Sequence, residues 1–271
     1  MAKRYYLFGH EAAPAFTPIL DTYPGANLAY SSARKLKNTA TYAYKLSNSS
    51  GTLDVGFIGE DVDDVLAQTF SNLDGGITYV DIIYDQSGNA RDAVFLAGKK
   101  PYFKNGVFYD VSGKPAISAE LGTMYYDYPS SFVTNALFCA IKPVAQSAQN
   151  YILSGALLSY GYSIGGTSAG RFPFVAKGAQ NLFSIDTVAS NSPYIETFVN
   201  YGPTNSIYIN NSQTTNSDVI KDITITSLFR PPSSIGRGFR SCMAEIITYE
   251  TDQFSNEAGI RANINNYYTI Y

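Results

Sequence analysis

The chain has no tryptophan, one histidine and two cysteines in 271 residues. Each scarcity closes off a chemistry. Structural and catalytic zinc sites draw on clustered His and Cys, and His10, Cys139 and Cys242 show no such spacing. A serine nucleophile needs a base, usually histidine. The stretch "GTSAG", Gly166 to Gly170, has the G-x-S-x-G form, but His10 precedes Ser168 and no apolar helix pattern follows. The Ser…Asp…His order of the hydrolase elbow is therefore excluded. The same loop lacks the lysine of a phosphate cradle. Two distant cysteines fit reduced thiols in a cytosolically made protein better than a disulfide framework. Charged residues make up only 15% and the net charge is −3, which leaves no footprint for nucleic acid. No stretch reaches ~18 uninterrupted apolar residues, so no membrane insertion is expected. The start, "MAKRYYLFGHEAAPAF", is basic but lacks an apolar h-region, so no export signal is expected either.

What is present points to strands. There are 23 Tyr and 16 Phe, punctuated by 22 Gly and 12 Pro, and aromatic and β-branched residues broken by turn formers favour sheets. Residues 1–25 hold His10, Pro14, Pro18 and Pro24 without any sustained period, and read as an extended N-terminal arm that packs on a partner or on the body. Residues 26–271 read as one domain. In "ATYAYKL" Tyr42, Tyr44 and Leu46 share a face. "GGITYVDIIYDQSGN" is apolar on both faces apart from Asp81, as in a central strand. Strand-turn units continue through "GVFYDVSGKPAISA", "SFVTNALFCAI", "NYILSGAL", "SIYIN", "DITITSLF" and "MAEIITYE", and no 20–50-residue period repeats. Two short helices are expected. One lies near 61–70, with Asp61, Asp63 and Asp64 in its first turn and Val62, Val65, Leu66 and Phe70 at helical spacing. The other lies near 255–267, capped by Asp252 or Ser255, with Ile260, Ile264 and Tyr267 or Tyr268 along one face.

Three groups of residues invite a functional reading. Asp85, Ser87 and Asn89 of "DQSGNARD" resemble the opening of a calcium loop, yet Ala90 and Leu96 stand where an EF-hand needs glycine and glutamate. Paired carboxylates for glycoside hydrolysis must sit about 5–10 Å apart across a groove. Glu60, Asp81, Asp85, Asp92, Asp110, Glu120, Asp127 and Glu245 are candidates by type, though Glu245, inside an apolar strand, reads as a satisfied structural carboxylate. In "TMYYDYPSS", Tyr125, Tyr126, Asp127 and Tyr128 could line a glycan site, with rings for sugar faces and a carboxylate for hydroxyls. The alternative is a strand end at a sandwich edge or subunit contact.

Several stretches resemble a known family. "LAYSSARKLKNTATYAYKLSNSSGTLDVGF" with "ITYVDIIYDQSGNARDA", then "KPYFKNGVFYDVSGKPAI" and the ending "AEIITYETDQFSNEAGIRANINNYYTIY", are similar to the concanavalin-A-like, laminin-G-type jelly roll of phage virion proteins. The resemblance spans about residues 26–123 and 240–271. The "YDQSGN" turn is also similar to one in the catalytic sandwich of family-54 α-L-arabinofuranosidases. That likeness does not extend to the family's catalytic acids or to its adjacent cysteines, since Cys139 and Cys242 are far apart. Both resemblances imply an all-β jelly-roll sandwich, and fold does not dictate function. Asp85, Gln86, Ser87, Gly88 and Asn89 then form a structural turn, with Gly88 and Asn89 suited to positive φ.

These readings converge on a non-enzymatic virion protein without catalytic residues, metal or cofactor, made in the bacterial cytoplasm. Its arm would bind other virion proteins of a capsid, neck or tail. It would form a homo-oligomer, a trimer being one arrangement, and its outer surface would decorate the particle or touch a host glycan. A free glycan-binding module and a glycoside hydrolase related to arabinofuranosidases are the alternatives.

Overall fold

A computed structural model describes residues 16–73, 77–104, 109–118, 124–143, 149–155, 160–167, 170–177, 180–184, 187–189, 191–201, 204–216, 220–230 and 241–271. Residues 1–15 of the expected arm, His10 among them, and Ser168 lie outside these ranges. The protein is the all-β sandwich expected from its strand-turn pattern, built from a 13-stranded and a 6-stranded sheet.

The strand Ser241–Tyr249 organises the large sheet. All nine of its residues are buried, because both faces are covered, and a strand covered twice must be largely apolar. Met243 and Ile246 join the core between the sheets, whereas Ala244, Ile247 and Tyr249 pack in a second cluster beneath the C-terminal helix. Ala136–Pro143 pairs along one side of this strand, and Ala26–Ser31 with Lys114–Ser118 along the other. The sheet continues one way through Tyr194–Tyr201, Thr204–Ile209 and Ser212–Asn216. The other way it runs through Tyr102–Lys104, Ile77–Ile83, Tyr44–Asn48 and Gly51–Val55. Opposite it lies the small sheet, whose first strands are Tyr126–Thr134, Ile223–Leu228 and Gln149–Ser154. Leu28, Tyr44 and Val80 of the large sheet meet Phe132, Ile152 and Ile225 of the small one in a single core. Each such side chain contributes about 1.5–3 kcal/mol on burial.

The helix Glu257–Tyr268 lies on the outer face of the large sheet, with Ile260, Ile264 and Tyr268 turned inward as their spacing predicts. Its cap is Asn256, which makes no side-chain cap bond; Asp252 instead accepts from the Phe254 N–H. The other helix begins later than expected, at Asp64, and runs to Asn72. Asp61 and Val62 form a small hairpin with Phe57 and Ile58, and Asp63 caps the helix by accepting from the Leu66 N–H. Its buried face is Ala67 and Ser71, while Val65 and Leu66 face solvent. Helical spacing located the helix and part of its inner face: Phe70 packs against the core and Val62 is buried in it, whereas Val65 and Leu66 are not inward.

Residues 16–25 of the expected arm are partly docked on the body. Ile19–Thr22 is one helical turn whose Ile19 and Leu20 are buried in the second cluster. Cys139 and Cys242 are buried on opposite faces of the large sheet, one in each cluster, and no disulfide joins them.

Candidate functional site

The "DQSGN" turn follows the strand Ile77–Ile83, and most of its polar atoms go to backbone. Asp85 Oδ1 accepts from the N–H groups of Ala29 and Ser87, and Oδ2 from Ser87 Oγ and the Arg91 N–H. Gln86 is buried; its Oε1 accepts from the Leu36 N–H at 2.7 Å. Asn89 donates to Ala26 O and to Ser87 Oγ. Gly88 takes φ +93° as expected, but the second left-handed residue is Ala90, φ +55°, rather than Asn89. With Asp85 accepting four protein donors, the turn ties this strand to Ala26–Ser31. Among the described residues no group of three or more His, Cys, Asp or Glu is placed to hold a metal.

The turn matters for what it holds beside it. Asp92 Oδ1 accepts the Asp85 N–H at 2.8 Å, and burial lifts its carboxyl above the usual aspartate range. Asp92 bears electrostatically on the phenol of Tyr126, and Asp127 does so as well; burial first and these two charges next push that phenol upward.

The strand Tyr126–Thr134 places the rest. Asp127 lies opposite Ser227 in the antiparallel ladder, and Ser227 Oγ donates to its Oδ1 at 2.7 Å. Arg230, just past the end of the partner strand, reaches Oδ2 at 2.6 Å. Both members of this ion pair are nearly half exposed, at 46% and 44%. The Arg230 guanidinium lies 4.8 Å from the Tyr125 ring centre, and the Lys99 amine 4.0 Å from it while donating to the Tyr125 hydroxyl. Two cations therefore attend one ring. Tyr126 stands edge-on to Tyr128 at 5.1 Å and to Phe95 at 6.2 Å.

Of the four residues expected to line a glycan site, three reach the surface. Asp127 is exposed, and Tyr125 and Tyr126 are half-buried. Tyr128 does not: it is 8% exposed, packs on Phe132 and shares a hydroxyl contact with Tyr30. Alternation along the strand explains the correction, since the residue after an outward Asp127 points inward. Tyr125, attended by Lys99 and Arg230, offers less free ring than Tyr126. The carboxylate partner Asp92 was legible by type alone. Lys99 and Arg230 carried no signal in sequence. Lys99 is 26 residues from Tyr125, and Arg230 lies farther still along the chain.

Glu60, Asp81, Asp85, Asp110 and Glu245 of the carboxylate candidates are engaged elsewhere. Glu245 accepts both Nε and Nη2 of Arg34 at 2.8 Å, deep beneath the helix. Asp110 pairs with Lys142, whose bond holds its carboxyl below the ordinary range. Glu120 lies outside the described residues.

No family model and no curated protein matches the chain. Solved structures do. A GH54 α-L-arabinofuranosidase soaked with a cyclic sulfate inhibitor has a TM-score of 0.65 at 13% identity. A glutamate-to-glutamine mutant of a GH54 α-L-arabinofuranosidase, soaked with 4-nitrophenyl α-L-arabinofuranoside, has 0.66 at 13%. An arabinofuranosidase complexed with arabinofuranosyl-α-1,2-xylobiose has 0.62 at 15%. Each likeness covers 91% of this chain but only 64% of the solved one. At such identities the shared property is the sandwich. It nevertheless overturns the expectation of a non-enzymatic chain: the fold is one that glycoside hydrolases use, along nearly the whole described sandwich. A virion setting is not something these likenesses bear on.

Proposed function

We propose that the protein is a carbohydrate-active enzyme of the glycoside-hydrolase class, with Asp92 as the acid, Asp127 as the second carboxylate and Tyr126 as the ring against which a sugar rests. One observation carries the reading: Tyr126 directly precedes Asp127 in its strand and stands edge-on to Phe95, three residues after Asp92, so two carboxyl groups in unlike environments attend one half-buried phenol. Glycoside cleavage divides its labour in this way. One carboxyl must keep its proton to protonate the departing oxygen, and the other must be charged to attack the sugar or activate water. Burial favours the proton on Asp92, while Arg230 and Ser227 offset the charge of Asp127 and fix its carboxylate. Tyr126 presents an amphipathic face of the kind that meets sugar rings. The likeness to arabinofuranosidases supports the substrate class, a glycan with a terminal furanose or pyranose unit.

The test is hydrolysis of a panel of aryl glycosides that includes 4-nitrophenyl α-L-arabinofuranoside. Asp92→Asn and Asp127→Asn are each expected to lower kcat by about 10²–10⁴-fold, with folding checked by thermal melts. A raised Asp92 pKa also places the alkaline fall of activity above the ordinary aspartate range, because activity is lost as pH rises through that value. An inactive wild-type protein across the panel, or turnover that survives both substitutions together, would overturn the assignment.

A further inference from the structure

On the open flank of the large sheet, three adjacent strands place Ser47, Tyr79 and Tyr102 side by side in register. Among the described residues no helix covers this face. The second core cluster, which lies under the C-terminal helix, contains no residue of Tyr44–Asn48, Ile77–Ile83 or Tyr102–Lys104. The Tyr79 and Tyr102 rings are 5.5 Å apart and tilted by 44°, so they form a notch rather than a flat plate. A groove of about 500 Å³ opens beside them, lined by Ser47, Asn48, Ser49, Ile77 and Tyr79. One rim carries a compact polar group. The Lys100 amine meets Asp81 at 2.7 Å and Ser47 Oγ at 3.3 Å, and Ser47 donates to Asp81. A register shift in the ladder falls at Asp81, which turns that residue toward the rim, as bulges do.

We infer that this groove binds a neutral sugar unit. Its volume lies in the range of small-ligand sites, and it combines an aromatic wall with a few convergent polar groups. Hydroxyls can be met in both senses here, since the Asp81 carboxylate accepts and the Lys100 ammonium donates, each with capacity beyond their mutual contact. Charge argues for neutrality. Lys100 is matched by Asp81, and Lys45 lies 3.8 Å from Asp54 on the neighbouring strand, so among the described side chains neither sign is in excess for an acidic or basic ligand. The groove also has a place relative to the candidate site. Lys99 reaches Tyr125 while the next residue, Lys100, reaches Asp81, so one loop borders both. A glycan long enough to leave the groove past this loop would meet the Tyr125–Tyr126 surface next. That last step rests on the hydrolase reading; sugar binding in the groove does not.

The experiment is affinity electrophoresis of the full chain in gels containing arabinoxylan, arabinan, mixed-linkage β-glucan or polygalacturonate. Beside it runs turnover of 4-nitrophenyl α-L-arabinofuranoside, which is too short to span both places. Tyr79→Ala is expected to weaken retention by a neutral polymer about tenfold, the effect of one good aromatic contact, and to leave aryl-glycoside turnover as in wild type. Ser49→Arg, at an exposed turn position lining the groove, should block it equally and guards against a misfolded Tyr79→Ala. Retention unchanged in both variants overturns the groove. So does absence of retention on all three neutral polymers, and so does tighter retention on polygalacturonate than on any of them. Retention that depends on Tyr79 in a protein without turnover supports the groove and defeats only the hydrolase reading.

Discussion

Glu245 and Glu196 lie on the same sheet, both fully buried, and are kept in opposite ways. Glu245 receives two bonds from Arg34 and a third from the Tyr268 hydroxyl at 3.2 Å, while Asn263 takes another Arg34 donor. Glu196 lies in the strand Tyr194–Tyr201, opposite Cys139 and Ile209, and neither of its oxygens finds a partner among the described residues. Burial alone pushes its carboxyl upward. The contrast separates two uses of an acid in a sandwich. One is half of a clamp that fixes a helix to a sheet, and the other is a polar group the interior carries without compensation. Buried polar groups are usually satisfied, so the pair predicts opposite responses to substitution.

The largest response belongs to the clamp. Arg34→Met leaves Glu245 buried without its ionic partner, which costs about 3–5 kcal/mol; urea unfolding followed by circular dichroism measures it. Replacing both partners, Arg34→Met with Glu245→Leu, should restore most of that loss, because no unpaired charge remains. A single-variant loss below about 1 kcal/mol would mean that water already shares the charge, and the clamp would cease to be the strong side of the comparison.

Next comes Glu196→Met, for which the sign reverses: removal of an unsatisfied buried group should stabilise by about 1–3 kcal/mol. pH sharpens the point. The folded-state pKa is raised above the ordinary glutamate value of 4.5. The contribution to stability is therefore fully present below that value and is lost as pH rises through the folded one. Glu196→Gln cannot titrate, so its stability should lack this decline. Wild-type and Gln-variant stabilities that fall in parallel above pH 4.5 would show that Glu196 is paired in solution.

The two glutamates also mark how far sequence reaches. Alternation in "MAEIITYE" read Glu245 correctly as structural, because an acid in a doubly covered strand has few other fates. The sandwich, the C-terminal helix face and the role of "DQSGN" were legible for similar reasons: period and turn chemistry are local. Arg34 as the partner of Glu245 was not, since 211 residues separate them. The inner face of Asp64–Asn72 was legible only in part: Phe70 packs against the core as its spacing implied, but Ala67 and Ser71, the fully buried residues, are too small to stand out in the pattern. In the candidate site, "YYDY" was visible as a cluster, but the strand alternation that buries Tyr128 could not be phased without knowing where the strand begins. The cations that complete the cluster come from distant turns. Composition also pointed away from catalysis, as scarce histidine excludes triads and zinc but leaves two-carboxylate chemistry untouched.

The smallest stability effect belongs to another acid–base pair, Arg230 with Asp127, which is the exposed counterpart of Arg34 with Glu245. Both partners are nearly half exposed, so solvent and salt screen them, and Arg230→Gln should cost about 0–1 kcal/mol. The same substitution frees one oxygen of Asp127 and removes a cation from the Tyr125 ring. Turnover of the aryl glycoside should then fall by more than the stability change accounts for, while the melting temperature stays within about 2–4 °C of wild type. If the pair is merely a surface contact, both quantities will hardly move, and Asp127→Asn will be as mild as Arg230→Gln. If it positions a working carboxylate, stability and turnover will separate. A clamp such as Arg34 and Glu245 cannot produce that separation, because breaking it unsettles the helix and sheet together.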